Sequence, residues 1–257
     1  MTAVVAFVNQ KGGVGKTSVT LGMASAALVA GHRVLVVDLD PQASATWILG
    51  LEPGNAGPSI ATASRAARRG AVAELAVESG WAPEVHVVPG DPAMHAEEDL
   101  GVVRRLRKSM AGVGDNYDIV LIDTAPSLGS LTTAALAVAS HVVMVAEPAV
   151  LSLRGVSSVA DFIDNVWEKH NQELELAGVV VNRVPAISVE AERQLEDLTR
   201  HVGKKAVWQP YVPSRVVVPL AASERSPIHG YGARAFDVTD AFDQLYAKLR
   251  RATRASV

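Results

Sequence analysis

Two lysines and a threonine share one glycine-rich stretch, Lys11-Gly12-Gly13-Val14-Gly15-Lys16-Thr17-Ser18. An apolar run at residues 4–8 precedes it and a helix-like run at 19–29 follows. Strand, glycine loop and helix in that order make a phosphate cradle. The glycines let backbone N–H groups turn inward, and the helix N-terminus adds partial positive charge. In such a loop Lys16 reaches the β- and γ-phosphates of a nucleotide, and the Thr17 hydroxyl ligates Mg²⁺. The pattern G-x-x-x-x-G-K-[ST] is met except at its first glycine, where the chain has Gln10. A second lysine, Lys11, stands at the mouth of the loop.

Further polar residues end apolar, β-branched runs. Asp38 and Asp40 follow residues 33–37, Asp123 follows 119–122, and Asn182 follows 179–181. Ligands in open α/β sheets sit beyond the carboxyl ends of the strands, so these residues should gather around the glycine loop. Asp123 would deliver one carboxylate toward Mg²⁺. Phosphoryl transfer needs positioning and charge neutralisation more than covalent chemistry. Asp40 could align a water for it, and Asp38 could serve the metal shell; an Asp-Pro turn is the plainer reading of the pair. The Asn182 amide offers the donor and acceptor that adenine's edge requires, or it simply forms a turn.

Elements that could position these groups alternate along the chain. Apolar strand-like runs lie at 4–8, 33–37, 85–88, 119–122, 142–146, 179–181 and 206–208. Helix-like runs lie at 19–29, 43–49, 96–110, 129–139, 151–170, 189–201 and 236–251, with one or two more in the alanine-rich stretch 59–79. Residues 52–58 hold two prolines and two glycines and read as a loop. This alternation predicts an α/β fold: a doubly wound, mostly parallel central sheet with helices on both faces. No linker composition interrupts the 257 residues, so one domain is expected, with residues 250–257 frayed.

Composition narrows the chemistry. A hydrophobic fraction of 49% is ample for a core, and a net charge of −3 gives no global pull toward nucleic acid. There is no cysteine, which excludes disulfides, zinc-thiolate sites and iron–sulfur clusters. The apolar runs are too short to span a bilayer and the start carries no signal-peptide pattern, so a cytoplasmic protein is expected. Seven histidines lack ligand spacing, and no Ser-His-Asp arrangement suggests itself. Trp47, Trp81, Trp167 and Trp208 are expected to pack rather than stack on a ligand. Basic residues form two groups: Arg104, Arg105, Arg107 and Lys108 on one helix, and Arg193, Arg200, Lys204, Lys205, Arg215, Arg225 and Arg234 across the last third.

The form Lys-Gly-Gly-Val-Gly-Lys-Thr at 11–17 resembles the deviant Walker A motif of the ParA/MinD ATPases. Residues 38–44 resemble that family's switch I, and 123–128 its Walker B segment, with Ala125 where a second proline is frequent. The resemblance is strongest to the ParA/Soj group and covers almost the whole chain. It implies a P-loop ATPase that uses ATP and Mg²⁺, with Thr17, Asp40 and Asp123 around the metal. It implies that Lys16 and Asp40 act in catalysis and that Lys11 reaches across a homodimer to the partner's nucleotide. Adenine contacts would come from Asn182 and from the loop holding Pro210 and Val212. The family's arginine after Ile-Pro is missing in Gln209-Pro210-Tyr211, and Arg215 is the available substitute.

The same resemblance implies an ATP-bound dimer that binds duplex DNA non-specifically through the C-terminal basic set, at the nucleoid. A ParB-like or cargo-adaptor protein would stimulate slow hydrolysis and release it. The short stretch before the first strand leaves no room for an operator-binding helix-turn-helix. A MinD-like membrane switch is the alternative, but Phe236, Phe242, Leu245, Tyr246 and Leu249 of the last helix are expected in the core, leaving little apolar surface for lipid. A small-molecule ligase on the same fold would have no use for Lys11.

Overall fold

A computed structural model describes residues 2–54, 57–97, 101–148 and 153–254. Its centre is a seven-stranded sheet in the order β3-β4-β2-β5-β1-β6-β7. The strands are β1 (Ala3–Val8), β2 (Val34–Asp38), β3 (Val77–Glu78), β4 (Val85–Val88), β5 (Ile119–Asp123), β6 (His141–Ala146) and β7 (Glu175–Val181). All neighbours are parallel except β3, which pairs antiparallel with β4. β2, β5 and β6 are buried along their whole length, as their unbroken valine- and isoleucine-rich runs require.

Helices cover both faces. Against one face lie α1 (Lys16–Val29), α2 (Ser44–Ile48), α8 (Val217–Ser223) and α9 (Phe236–Arg254). Against the other lie α3 (Ile60–Ala66), α4 (Val102–Ser109), α5 (Ser130–Val138), α6 (Leu153–Lys169) and α7 (Val189–Val202). The doubly wound parallel fold expected from the alternation is therefore present. Register places Asp38 and Phe7 each level with Asp123, so the ends of β2, β5 and β1 converge.

Several local expectations need correction. The stretch 59–79 forms one helix, a 3₁₀ turn (Ala73–Leu75) and the edge strand β3. α8 has no counterpart in the sequence reading. Residues 206–208 make only a single bridge, Val207 to Val179, because the Trp208 indole packs over Gly178, where a Cβ would lie 2.2 Å from Nε1. The tail is not frayed through 254: α9 runs to Arg254, Thr253 is buried, and Arg250 donates to the Asp118 carbonyl at 2.7 Å. Residues 255–257, 55–56 of the expected loop, 98–100 ahead of α4 and 151–152 ahead of α6 lie outside the described residues. Phe242, Leu245, Tyr246 and Leu249 are buried as expected, whereas Phe236 is 70% exposed. Among the tryptophans Trp208 is buried and Trp81 half-buried, but Trp47 and Trp167 are largely open.

Gly22 lies on the face of α1 that meets α9. A Cβ there would come within 2.2 Å of the Phe242 ring, which is fully buried. Helix propensity favours alanine over glycine by about 1 kcal/mol, whereas overpacking a core costs about 1–3 kcal/mol. Gly22→Ala should therefore lower stability, by up to about 2 kcal/mol net. Urea unfolding measures it, and a raised midpoint would contradict this packing.

Candidate functional site

The glycine loop is shaped by backbone geometry. Gly13 and Gly15 have φ of 86° and 83°, the left-handed region that glycine enters without cost. Gly15 caps α1, and its missing side chain admits Asn182, whose Nδ2 would sit 2.3 Å from a Cβ there. Asn182 Nδ2 donates to the Val14 carbonyl at 2.9 Å, and the Arg183 guanidinium donates to the Gly13 carbonyl. On the other flank Asn9 Nδ2 donates to the Val145 carbonyl, while Asn9 Oδ1 accepts from the Lys11 N–H at 2.8 Å. The ends of β6 and β7 thus hold the loop from both sides. Lys16 is buried inside it and Lys11 is exposed outside it.

Beneath the loop lies Asp123, fully buried. Thr17 Oγ1 donates to Asp123 Oδ2 at 2.6 Å, and the Thr20 hydroxyl, which donates to the Lys16 carbonyl, lies 3.3 Å from Oδ1. Asp38, level with Asp123 on the neighbouring strand, is held by the segment that follows β2. Its Oδ2 accepts from the Thr46 N–H and hydroxyl at 2.8 and 2.7 Å, and its Oδ1 from the Asp40 N–H at 3.1 Å. Gly90 packs so close that a Cβ would be 2.8 Å from the Asp38 carboxyl carbon. The metal-shell expectation for Asp38 is therefore corrected: it braces the turn that carries Asp40. Asp40 Oδ1 accepts from the Gln42 N–H at 2.9 Å, and Oδ2 has no hydrogen-bond partner among the described residues.

Burial pushes the Asp123 carboxyl up to about 7, and the Asp38 charge adds to the rise against the pull of Thr17 and Lys16. Burial likewise pushes Asp38 up to about 6, against its bonds from Thr46 and Asp40. Burial lowers Lys16 from its ordinary value, opposed by Asp123 and Asp40. A hydroxyl and a buried carboxylate, side by side under a phosphate cradle, suit a hard cation of the Mg²⁺ type that takes its remaining oxygens from phosphate and water. Among the described residues no three His, Cys, Asp or Glu side chains form a metal cluster by themselves.

The other expected contacts divide. Val212 is buried; its N–H donates to the Val181 carbonyl at 2.9 Å and its carbonyl accepts from the Val184 N–H at 3.0 Å. Pro210 follows a cis peptide in the same segment. Arg225 does not join an open basic surface: it donates to the Trp47 and Leu51 carbonyls, pairs with Glu52 at 2.7 Å and lies over the Trp47 ring. Arg193, Arg200 and Arg215 pair with Glu190, Asp197 and Asp237. Lys204, Lys205 and Arg234 are exposed and make no ion pair with a described residue.

Asn9, Thr46, Gly90 and Arg183 escaped sequence reasoning. Only the Pro89-Gly90 turn after β4 could have signalled one of them. A Ser-His-Asp series also exists, contrary to expectation: Ser25 Oγ lies 2.6 Å from His229 Nδ1, and His229 Nε2 lies 3.1 Å from Asp243 Oδ1. Ser25 is fully buried between α1 and the segment before α9, so no acyl group can reach it; the series ties those elements together.

The two raised carboxyls have a consequence for ligand-free stability. Both hold a proton more tightly when folded than when unfolded, where they titrate near 3.8. Their ionisation therefore costs stability as pH rises from about 4 through about 7. The ligand-free melting temperature should fall across that window, and Asp123→Asn should flatten the fall. Melting curves at graded pH check this; an identical slope in wild type and variant would contradict it.

Three comparisons bear on this arrangement. The AAA domain family matches residues 2–176. The chromosome-partitioning ATPase Soj of Thermus thermophilus is 34% identical over 227 residues, 85% of this chain and 84% of that protein. The chromosome partitioning protein ParA of Caulobacter vibrioides is 31% identical over 255 residues, 96% of this chain and 92% of that protein. A crystal structure of cobyrinic acid a,c-diamide synthase from Mycobacterium smegmatis, with bound ADP and magnesium, superposes with a TM-score of 0.83 at 25% identity, over 100% of this chain and 97% of that one. The ATP complex of Cyanothece McdA shares the fold, with a TM-score of 0.84 at 15% identity over 96% of each chain. Loop, strand-end acids and near-full-length identity agree: the chain belongs to the ParA/Soj family of AAA-domain ATPases.

Proposed function

We propose that this chain is an ATP-driven dimerising switch that moves or positions DNA or another cargo. The observation that carries the reading is the pair of lysines on one loop, Lys16 buried within the cradle and Lys11 exposed beyond it. Lys16 and the N–H groups of Gly12, Gly13, Val14, Gly15, Thr17 and Ser18 hold the triphosphate of ATP. Thr17 and Asp123 hold Mg²⁺, with Asp40 facing the same centre; the ion offsets charge on the phosphates. The free oxygen of Asp40 orients the attacking water. Lys11, anchored by Asn9 but aimed out of its own cradle, meets the nucleotide of a second protomer and closes a homodimer. Asn182 Oδ1 and Pro210 border the adenine.

The family membership supports a partitioning role, and a ParB-like or cargo-adaptor protein is the expected stimulator. Duplex DNA is bound without sequence preference, in the cytoplasm at the nucleoid. Lys204, Lys205 and Arg234 are the unpaired cations of the C-terminal set. Arg193, Arg200 and Arg215 can exchange their carboxylates for phosphates, because exposed ion pairs are worth only about 0–1 kcal/mol. The membrane alternative loses support, since Val238, Phe242, Leu245, Tyr246 and Leu249 of α9 are buried under the sheet. No helix of the described residues is long and apolar enough to cross a membrane. A ligase would turn over ATP only with an acceptor present, so turnover by the protein alone separates that reading.

Asp40→Ala should bind ATP but hydrolyse it about 10²-fold more slowly or worse, because the lost carboxylate acts on the transition state. In that background ATP should produce a dimer by light scattering, and adding Lys11→Ala should return it to monomer. A dimer that survives Lys11→Ala would refute the role in trans.

DNA binding should require ATP and weaken with salt, by about 0.9 in log affinity per log salt for each phosphate neutralised. Lys204→Glu with Lys205→Glu should lower affinity for all sequences alike and flatten that slope, with ATP affinity unchanged. Fluorescence anisotropy on unrelated duplexes measures both, and equal binding with and without ATP would sink the switch.

A further inference from the structure

Among the described residues a further group of cations lies away from both the glycine loop and the C-terminal set. Arg69, Arg104, Arg107, Lys108 and His170 converge on a concave site of about 620 Å³, with Val103 and Ala111 among its walls. They come from three places: the turn after α3, the body and last turn of α4, and the residue after α6. Arg107 donates to the His170 carbonyl at 3.1 Å, which fixes that corner. Among the described residues no carboxylate pairs with Arg69, Arg104, Arg107 or Lys108, and none lines the concavity. Glu168 and Glu173 border one adjoining depression beyond Arg107, and Asp115 and Glu173 border a second that shares Arg107 and Ala111.

Cations in the last turn of α4 have an ordinary cause in the helix dipole, which accounts for Arg107 and Lys108. It does not account for Arg104 a turn earlier, nor for Arg69. Arg104 and Lys108 stand four residues apart on one helix, an arrangement that costs a few tenths of a kcal/mol in repulsion. A site that gathers like charge from separate elements and leaves it without counter-charge is built to receive an anion.

The shape chooses among anions. Among the described lining residues Val103 and Ala111 are apolar and the His170 imidazole is the one ring, too little for the series of aromatic faces on which successive bases stack. The concavity also opens beside the segments that lead into β5 and β7, at the opposite end of the strands from the glycine loop. Arginine forks suit carboxylates, and Val103 and Ala111 suit an aliphatic side chain between them. We infer that this concavity is a docking site for a short acidic peptide segment of a partner protein, engaged whether or not the nucleotide site is filled.

The probe is a fluorescein-labelled peptide of six glutamates around one leucine, followed by anisotropy on the full chain with ATP, with ADP and without nucleotide. Equal binding in all three states is expected. Arg104→Glu with Lys108→Glu should weaken it about tenfold or more, and Arg69→Glu, on a different element, should weaken it independently. Arg104→Lys should recover only part of the affinity, since a lysine cannot make the forked contact. ATP turnover of every variant should match wild type, which also verifies folding. Failure of the wild type to bind the peptide, or equal binding by the reversal variants, overturns the inference. So does a loss of duplex DNA affinity in those variants without any peptide binding, which would make the concavity a nucleic-acid surface. None of these outcomes depends on the dimer switch being correct.

Discussion

Everything near the candidate site hangs on one buried carboxylate. Asp123 ends the central strand β5, sits level with Asp38 on one neighbour and Phe7 on the other, and accepts the Thr17 hydroxyl from the first turn of α1. That contact joins the start of α1 to the centre of the sheet, while Asn9, Asn182 and Arg183 hold the glycine loop from its flanks. An ionised carboxylate in such a place is costly without a cation, and the nearby Lys16 is itself weakened by burial. The ligand-free site is therefore under electrostatic tension that a divalent ion and phosphates would relieve. Structural economy and ligand affinity have the same source.

The supporting bonds around it divide the labour. Thr124 Oγ1 donates to the Phe7 carbonyl at 2.6 Å, and the Leu39 N–H donates to the Asp123 carbonyl at 2.9 Å. These fix the ends of β1, β2 and β5 relative to one another. Asp38 then spends its whole carboxylate on the turn below it, so that Asp40 leaves the sheet at a set angle. Asn182 and Arg183 do the same for the glycine loop from the far side.

What the sequence disclosed follows from what leaves a one-dimensional trace. The strands were legible because parallel strands buried on both faces need continuous apolar runs, and residues 119–122 could hardly be anything else. The glycine loop was legible because its backbone angles demand glycine at fixed spacing. Asp38 was misread because its role depends on Thr46 and Gly90, one in the next helix and one at the end of β4; no local pattern links them. β3 was hidden because two residues carry no period, and α8 because Val216 to Leu220 reads equally as strand or helix. Arg225 looked like surface charge, and only the fold brings Trp47, Leu51 and Glu52 to it.

That arginine has a mechanical meaning. Asp40 is followed within a few residues by α2, and the carbonyl of Trp47 in α2 receives the Arg225 guanidinium. Trp81 adds a rivet: its indole N–H lies 3.1 Å from both the Ile48 and the Arg225 carbonyls. The acid-bearing turn, α2 and the end of α8 therefore form one linkage. Were that turn to shift, α8 would have to follow it or the guanidinium would leave its seat. The outer surface of α8, where Leu220 is 40% exposed, is thus tied through Arg225 to the turn that carries Asp40, as a lever is tied to its fulcrum.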